Sequence, residues 1–447
     1  MGAASRAVAL LKSGAGAHFW DSDRARGSIT IQWQNAAMMT SPSPHLPPAR
    51  LAFVAISARS LVECARLSGL LPIALDVFAD VDTCRLAQAC MQIGSSGLAM
   101  DRDALLGALA DLHARGDADG WVAGSGFEAQ LDLLAEAACA LPLIGNGPET
   151  VRRVRSPADF ADLVDTLGIA QPGFSAVTPP DLRGWLVKDA HACGGWHVRP
   201  AQATPAAGLG AGAYFQRRVA GEAFSCLFLA AGHDVRVVGF SRQIVRALGG
   251  RPYVYRGGIG PVALPSAAAG QIADAALKLT RALGLVGLNG IDFVLDAGGR
   301  PWLLELNPRP TAAIQLFGDA FEDGLMCAHV EACKGRLPAP APVCAPAFSP
   351  GAGAATQGST GGVVRGFETV FARRGGQVDE ASAAWLAGQP WCCDIPRAGT
   401  RHAWGDPICT VRAQAGSVEA VLQQLSERRH AVSKQLQPRP ESAPACR

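Results

Sequence analysis

Gly287-Leu-Asn-Gly-Ile-Asp-Phe-Val-Leu-Asp-Ala-Gly-Gly-Arg-Pro-Trp-Leu-Leu-Glu-Leu-Asn-Pro-Arg-Pro-Thr311 reads as two strands joined by a turn. Asp292 opens the apolar run Phe293-Val294-Leu295, and Ala297-Gly298-Gly299-Arg300 has turn chemistry. The return run, Trp302 to Leu306, carries one acid, Glu305. An acid inside an apolar strand is costly unless it is paired or bound to metal. Glu305 and Asn307 alternate by two, so a strand presents both on one face, and the hairpin turn brings Asp292 back beside them. These are hard oxygen donors, few in number, which suits Mg²⁺ (or Mn²⁺) shared with nucleotide phosphates. Arg309, two residues further, falls on the same face and can neutralise phosphate or carboxylate.

Working outward, the preceding segment supplies the partners such a site needs. Gly184-Trp-Leu-Val-Lys188 is a strand ending on a lysine, followed by a loop containing Gly194 and Gly195. Backbone amides of a glycine-rich loop wrap phosphate oxygens, and the lysine adds a point charge. Tyr253-Val-Tyr-Arg-Gly-Gly-Ile-Gly-Pro261 is expected as a glycine loop whose Arg256 faces the site. Residues 150–168 have a helical pattern, and residues 265–284 form a second helix leading into the hairpin.

Asp-Phe-Val, a turn, then Glu-x-Asn-x-Arg, with Lys188 and the glycine loop upstream, resembles the ATP-grasp superfamily, which includes D-alanine–D-alanine ligase, biotin carboxylase and glutathione-synthetase-like ligases. Over residues 50–430 the chain is most similar to a group described as predicted ATP-dependent carboligases related to biotin carboxylase, found with one-carbon (methanopterin-linked) genes. The resemblance implies a multidomain α/β and α+β fold. Residues 49–147 would be a doubly wound pre-ATP-grasp domain and 148–335 the two-lobed ATP-grasp domain. Residues 336–360 would be a Pro/Ala/Gly linker and 361–430 a small β-rich carboxyl-terminal domain, with 431–447 a tail. Residues 1–48 lack sustained periodicity and read as a disordered leader, with Met38-Met39 an alternative start.

The same resemblance implies roles. Asp292, Glu305 and Asn307 would hold the metal. Lys188, Gly194 and Gly195 would meet the ATP phosphates. Gln216, Arg217 and Val219 would form the hinge that holds adenine, with Glu222 on ribose. Arg309 and Arg256 would be catalytic, holding the acceptor carboxylate or acyl-phosphate. Relatives often place a first phosphate-binding lysine before the lysine strand. This chain offers Arg152, Arg153 and Arg155 there, and the sequence does not choose among them.

Two departures weigh against carboxylase chemistry. Biotin carboxylase keeps a glutamate four residues past the hairpin arginine, where this chain has Ala313, and no Ala-Met-Lys-Met biotinylation signal occurs. The reading is therefore an ADP-forming carboxylate–amine ligase working through an acyl-phosphate, in the biosynthesis of a one-carbon cofactor. A carboligase of biotin-carboxylase type and a non-catalytic ATP-binding protein are the alternatives. No Gly-x-x-x-x-Gly-Lys-Ser/Thr stretch signals a P-loop kinase, and Ser57-Ala-Arg stands where a dehydrogenase carries its Gly-x-Gly-x-x-Gly turn.

Composition narrows the partners. The 447 residues are 49% hydrophobic and 17% charged, with a net charge of +2. That charge gives no footprint for nucleic acid, and no apolar run has membrane-spanning length. Thirteen cysteines without paired zinc-type spacing fit a reducing cytoplasm. The expected partners are a small-molecule carboxylate and an amine, with a homodimer compatible with the resemblance.

Overall fold

The computed structural model describes residues 49–94, 97–204, 209–210, 212–341 and 363–436. The leader 1–48 and most of the 336–360 linker fall outside the described residues. Among the described residues no helix is long and apolar enough to cross a membrane.

The first domain alternates strand and helix: β1 (Arg50–Ala55), α1 (Arg59–Leu67), β2 (Leu71–Asp76), α2 (Val81–Leu86), β3 (Ala89–Gln92), α3 (Arg102–Arg115), β4 (Gly120–Ala123) and α4 (Leu131–Ala140). The strands run parallel in the order β3-β2-β1-β4. Such a sheet is buried on both faces, and β1 accordingly is apolar and buried from Leu51 to Ala55. Residues 141–145 contribute only a bridge from Leu143 to Trp121. α2 and β3 were not read from the sequence. Cys84 of α2 and Cys90 of β3 are joined as a disulfide, a pairing that the expectation of thirteen uncoupled cysteines did not include.

The helical pattern of 150–168 breaks into α5 (Pro148–Val154) and α6 (Pro157–Thr166). Pro157 lacks an N–H and pre-sets the first turn of a new helix, so the chain restarts there. Arg155 lies in the break. A small antiparallel sheet follows, from β5 (Phe174–Ser175), β6 (Trp185–Asp189), β7 (Arg199–Pro200) and β8 (Ala213–Arg217), in the order β5-β8-β6-β7.

The largest sheet starts with β9 (Glu222–Ala231), β10 (Val235–Leu248) and β11 (Arg251–Gly260). After α7 (Ser266–Leu283) come β12 (Val286–Leu295) and β13 (Pro301–Asn307), then a 3-10 turn at Ala312–Leu316 and α8 (Leu325–Cys333). The carboxyl-terminal part holds β14 (Val364–Phe371), β15 (Gly376–Gln377), α9 (Glu380–Ala387), β16 (Cys392–Cys393), β17 (Arg401–His402), β18 (Pro407–Ala415) and α10 (Val418–Gln435). The sheet order is β13-β12-β9-β10-β11-β14-β18-β16. The carboxyl-terminal strands thus continue the central sheet through the β11–β14 pair.

α7 covers one face of this sheet with Ile272, Ala276, Leu279 and Leu283, packed among Phe228, Ile291 and Phe293. α10 does the same for the carboxyl-terminal strands with Val421, Leu425 and Val432. The glycines of 257–260, expected in a loop, lie within β11. A Cβ on Gly257 would sit 1.9 Å from the Phe367 carbonyl oxygen, so close approach of β14 requires glycine there.

One buried charge network ties the first domain to the carboxyl-terminal strands. Arg59, 2% exposed, donates to Glu63 (2.8 Å), Asp394 (3.1 Å) and Gln315 (3.2 Å). Arg412 donates to both oxygens of Glu63 (2.7 and 2.9 Å), and Asp82 accepts from the amides of Asp394 and Ile395 (2.9 and 2.8 Å). Two elements far apart in sequence are thereby held in a fixed relation beneath one cleft.

Candidate active site

That cleft, about 840 Å³, runs between the small sheet, hairpin β12–β13 and the carboxyl end of β1. Its most charged wall is the hairpin. β12 and β13 pair with Asp292 opposite Glu305 and Gly290 opposite Asn307, and a bulge follows Asp292. Bulges re-aim side chains next to active sites. Asn307 Nδ2 donates to Asp292 Oδ2 (3.2 Å), so the residues expected to act together do meet.

Ser225 of β9 donates to Asp292 Oδ1 (2.6 Å), and Gln243 of β10 donates to Ser225 Oγ (2.7 Å). Neither Ser225 nor Gln243 was singled out by sequence, because each joins the hairpin only through sheet pairing. Burial first, and the neighbouring Glu305 carboxylate second, push the Asp292 carboxyl up to about 6. Two acids held together at one wall are short of positive charge.

Arg155 answers part of that shortage. Its guanidinium donates to Glu305 Oε1 (2.8 Å) and Asn307 Oδ1 (3.3 Å). Arg152 and Arg153 instead reach Glu149 (2.7 Å) and the Ala282 carbonyl (3.4 Å), both at exposed positions. Of the three arginines left open by sequence, only Arg155 enters the cleft, because the helix break before Pro157 turns it inward.

Lys188, 9% exposed, stands one residue before the end of β6 and lines the same cleft. Burial lowers its pKa, opposed by the Glu305 and Asp292 carboxylates. Gly194 and Gly195 both have positive φ (68° and 74°). A Cβ on Gly195 would meet the Tyr253 carbonyl oxygen at 1.9 Å, and the Tyr255 amide donates to the Gly194 carbonyl (2.9 Å). The glycine loop is docked on β11.

Gln216, Arg217, Val219 and Glu222 all line the cleft beyond Lys188. Gln216 is buried in β8, and Arg217 lies over the Trp185 ring at 4.6 Å. Glu222 accepts from Arg242 (3.0 Å).

Arg309 does reach the cleft, and its partner is Glu128, which accepts from Arg309 Nε (2.9 Å). Burial opposes ionisation of Glu128, but Arg309 first and Arg155 after it outweigh burial and hold the carboxyl down at about 2. Glu128 lies in the loop after β4, at the carboxyl end of a parallel strand, where doubly wound sheets hold ligands.

Arg256 is the correction. It does not line the cleft; Tyr253 and Tyr255 of the same strand do. Side chains alternate across a strand, so Arg256 falls on the opposite face. There it donates to the Ala247 carbonyl (2.9 Å), lies 4.0 Å from the fully buried Glu368, and sits over the Phe371 ring at 5.8 Å. Arg246 and Arg429 also approach Glu368 (3.7 and 3.3 Å). Ala313 does line the cleft, so no carboxylate occupies that position.

The donor set fits a divalent cation only in part. Among the described residues, no group of three or more His, Cys, Asp or Glu side chains could hold a metal ion. Asp292 and Glu305 with the Asn307 amide leave the remaining coordination to phosphate oxygens and water, which is the usual arrangement for nucleotide-bound Mg²⁺. The raised Asp292 carboxyl is what an arriving cation would relieve.

Comparison with known proteins gives a domain match and a shared fold. Residues 169–313 match the family model for the ATP-grasp domain. A D-alanine–D-alanine ligase of Bordetella petrii is 54% identical over 50 residues, a segment covering 11% of this chain and 15% of that ligase. The fold resembles the L-amino acid ligase from Bacillus licheniformis, with a TM-score of 0.60 at 16% identity over 88% of this chain and 98% of that one. It also resembles the biotin carboxylase domain of the Hydrogenobacter thermophilus 2-oxoglutarate carboxylase, a complex with MgADP, ADP and bicarbonate. There the TM-score is 0.58 at 11% identity, covering 87% and 90% of the two chains. At such identities the likeness is one of fold. Residues 169–313 thus match an ATP-grasp domain, within a chain whose fold resembles those of the ligase and the carboxylase domain.

Proposed function

We propose that this chain is an ADP-forming ligase that joins a carboxylate to an amine through an acyl-phosphate. The observation that carries the proposal is the convergence of Lys188, Arg155, Arg309 and the Asp292–Glu305–Asn307 set on one cleft. Nucleotide phosphates would enter between β6, the glycine loop and the hairpin, with adenine at Gln216–Val219 and ribose near Glu222. Arg155 would exchange its hold on Glu305 for a phosphate oxygen. Asp292, Glu305 and Asn307 would hold a divalent cation, which would supply charge neutralisation at the transferring phosphoryl group.

In the first step a substrate carboxylate oxygen bonds to the γ-phosphorus as the bond to the ADP oxygen breaks. Lys188 and Arg155 balance the charge on the phosphoryl oxygens, the usual source of catalysis in phosphoryl transfer. In the second step the amine nitrogen bonds to the acyl carbon, the acyl carbon–oxygen bond breaks, and inorganic phosphate leaves with the proton that the nitrogen gives up. Arg309 offers a guanidinium fork for the carboxylate before attack. Arg256 has no part in this scheme.

Carboxylase chemistry is the second reading, favoured by the fold shared with a bicarbonate-bound carboxylase domain. It needs a proton acceptor near the hairpin arginine. Ala313 is none. Glu128, held at about 2 by its arginines, is a weak base, far from the range that suits proton transfer near neutral pH. The one-carbon cofactor setting, cytoplasmic location and dimeric state rest on the sequence resemblance and composition alone. The test is ADP release by purified protein across pairs of carboxylates and amines, with bicarbonate plus free biotin alongside. A carboxylate–amine pair is expected to stimulate release. Stimulation by bicarbonate and biotin instead would overturn the ligase reading.

A further inference from the structure

His197 follows the glycine pair on the loop and lines the cleft. The backbone around it is pinned on both sides. The Gly194 carbonyl accepts from Tyr255, the Val198 amide donates to the Gly195 carbonyl (3.2 Å), and Arg251 donates to the Trp196 carbonyl (2.5 Å). Trp196 packs edge-on against Phe371 of β14 (5.3 Å between centroids), and Arg199 pairs with Val187 of β6. A side chain on so constrained a backbone is pre-oriented rather than searching.

The imidazole itself is unsettled. Nδ1 is buried and has no hydrogen-bond partner among the described residues. The charged groups acting on the ring are Glu305, Lys188, Asp189 and Arg155, which are the phosphate and metal end of the cleft together with the residue after Lys188. An unpaired N–H in a buried position is rarer and costlier than an unpaired acceptor. The ring proton therefore belongs on Nε2, and the cleft is what Nε2 has to meet.

We infer that His197 is a phosphate-contacting residue: its Nε2–H donates to a β- or γ-phosphate oxygen of the bound nucleotide, beside Lys188. This rests on the proposed nucleotide site and adds a side-chain donor to the backbone amides of the loop. Its chemistry singles out the outer phosphates, because the ring lies among the groups assigned to them, away from the hinge residues that line the adenine end.

Calorimetric titration of the full chain with MgATP, MgADP and adenosine separates the possibilities. His197→Ala is expected to weaken MgATP binding by about tenfold or more, the scale of a hydrogen bond to a charged group, and to leave adenosine binding unchanged. His197→Gln, whose amide places an N–H near the Nε2 position, is expected to recover most of the loss. If His197→Ala does not fold, His197→Phe removes both nitrogens while keeping a ring. Unchanged MgATP affinity in the variant lacking the nitrogens overturns the inference, and so does an equal loss for all three ligands, which marks a packing role. Wild-type protein that binds no MgATP overturns the nucleotide site and this inference together. Wild-type binding with an indifferent His197 overturns this inference alone.

Discussion

Hairpin β12–β13 turns its charged residues into the cleft, whereas β11 turns its arginine away from it. Both strands run beside the same site, and both carry ionisable side chains among apolar residues and glycines. In the hairpin, Glu305 and Asn307 are separated by two, and the antiparallel register sets Asp292 opposite Glu305. In β11 the residues that face the cleft are Tyr253 and Tyr255, again two apart, and Arg256 has the opposite parity. A single position decides whether a side chain faces the cleft or a buried carboxylate. Glycine misled for a related reason: Gly257 serves the close approach of β14 and gives no mobile loop.

The sharpest way to break this contrast is at the hairpin. Glu305→Gln keeps the shape and removes one negative ligand. ADP formation is expected to fall by at least ~100-fold, comparable with losing a preorganised electrostatic contact to a transition state. Steady-state turnover near wild type would remove the hairpin from the chemistry. At the other extreme stands Arg256→Met. MgATP affinity by calorimetry is expected to stay at the wild-type level, since the side chain does not line the cleft. The melting temperature is expected to drop, because Glu368, fully buried, loses one of its three arginine neighbours. A marked loss of nucleotide affinity without a change in melting temperature would place Arg256 back in the site.

What could be read from the chain follows the range of the interactions. The hairpin, Lys188 and the glycine loop are local patterns, set by alternation and turn residues within a few positions. A doubly wound first domain was expected over residues 49–147, although the short α2 and β3 were too brief to show a period. The choice of Arg155 among the three arginines, and the roles of Glu128 and Ser225, were not legible. Arg155 meets a partner 150 positions away and Glu128 one 181 positions away, and Ser225 reaches Asp292 only through the β9–β12 pairing. Ser156-Pro157 was the available signal for Arg155, since it breaks the helix where the arginine stands. The Cys84–Cys90 pair had no such signal, because two cysteines among thirteen do not reveal which Cα atoms end up 5.0 Å apart.

The Asp292–Glu305–Asn307 wall, with Lys188 and Arg155, is proposed to take nucleotide phosphates together with a divalent cation. Calorimetric titration of wild-type protein with ATP, in Mg²⁺ and then in metal-free buffer with chelator, tests it most directly. Binding in Mg²⁺ that weakens strongly on metal removal is the predicted result. Equal affinity in the two buffers, or no binding in either, would contradict it.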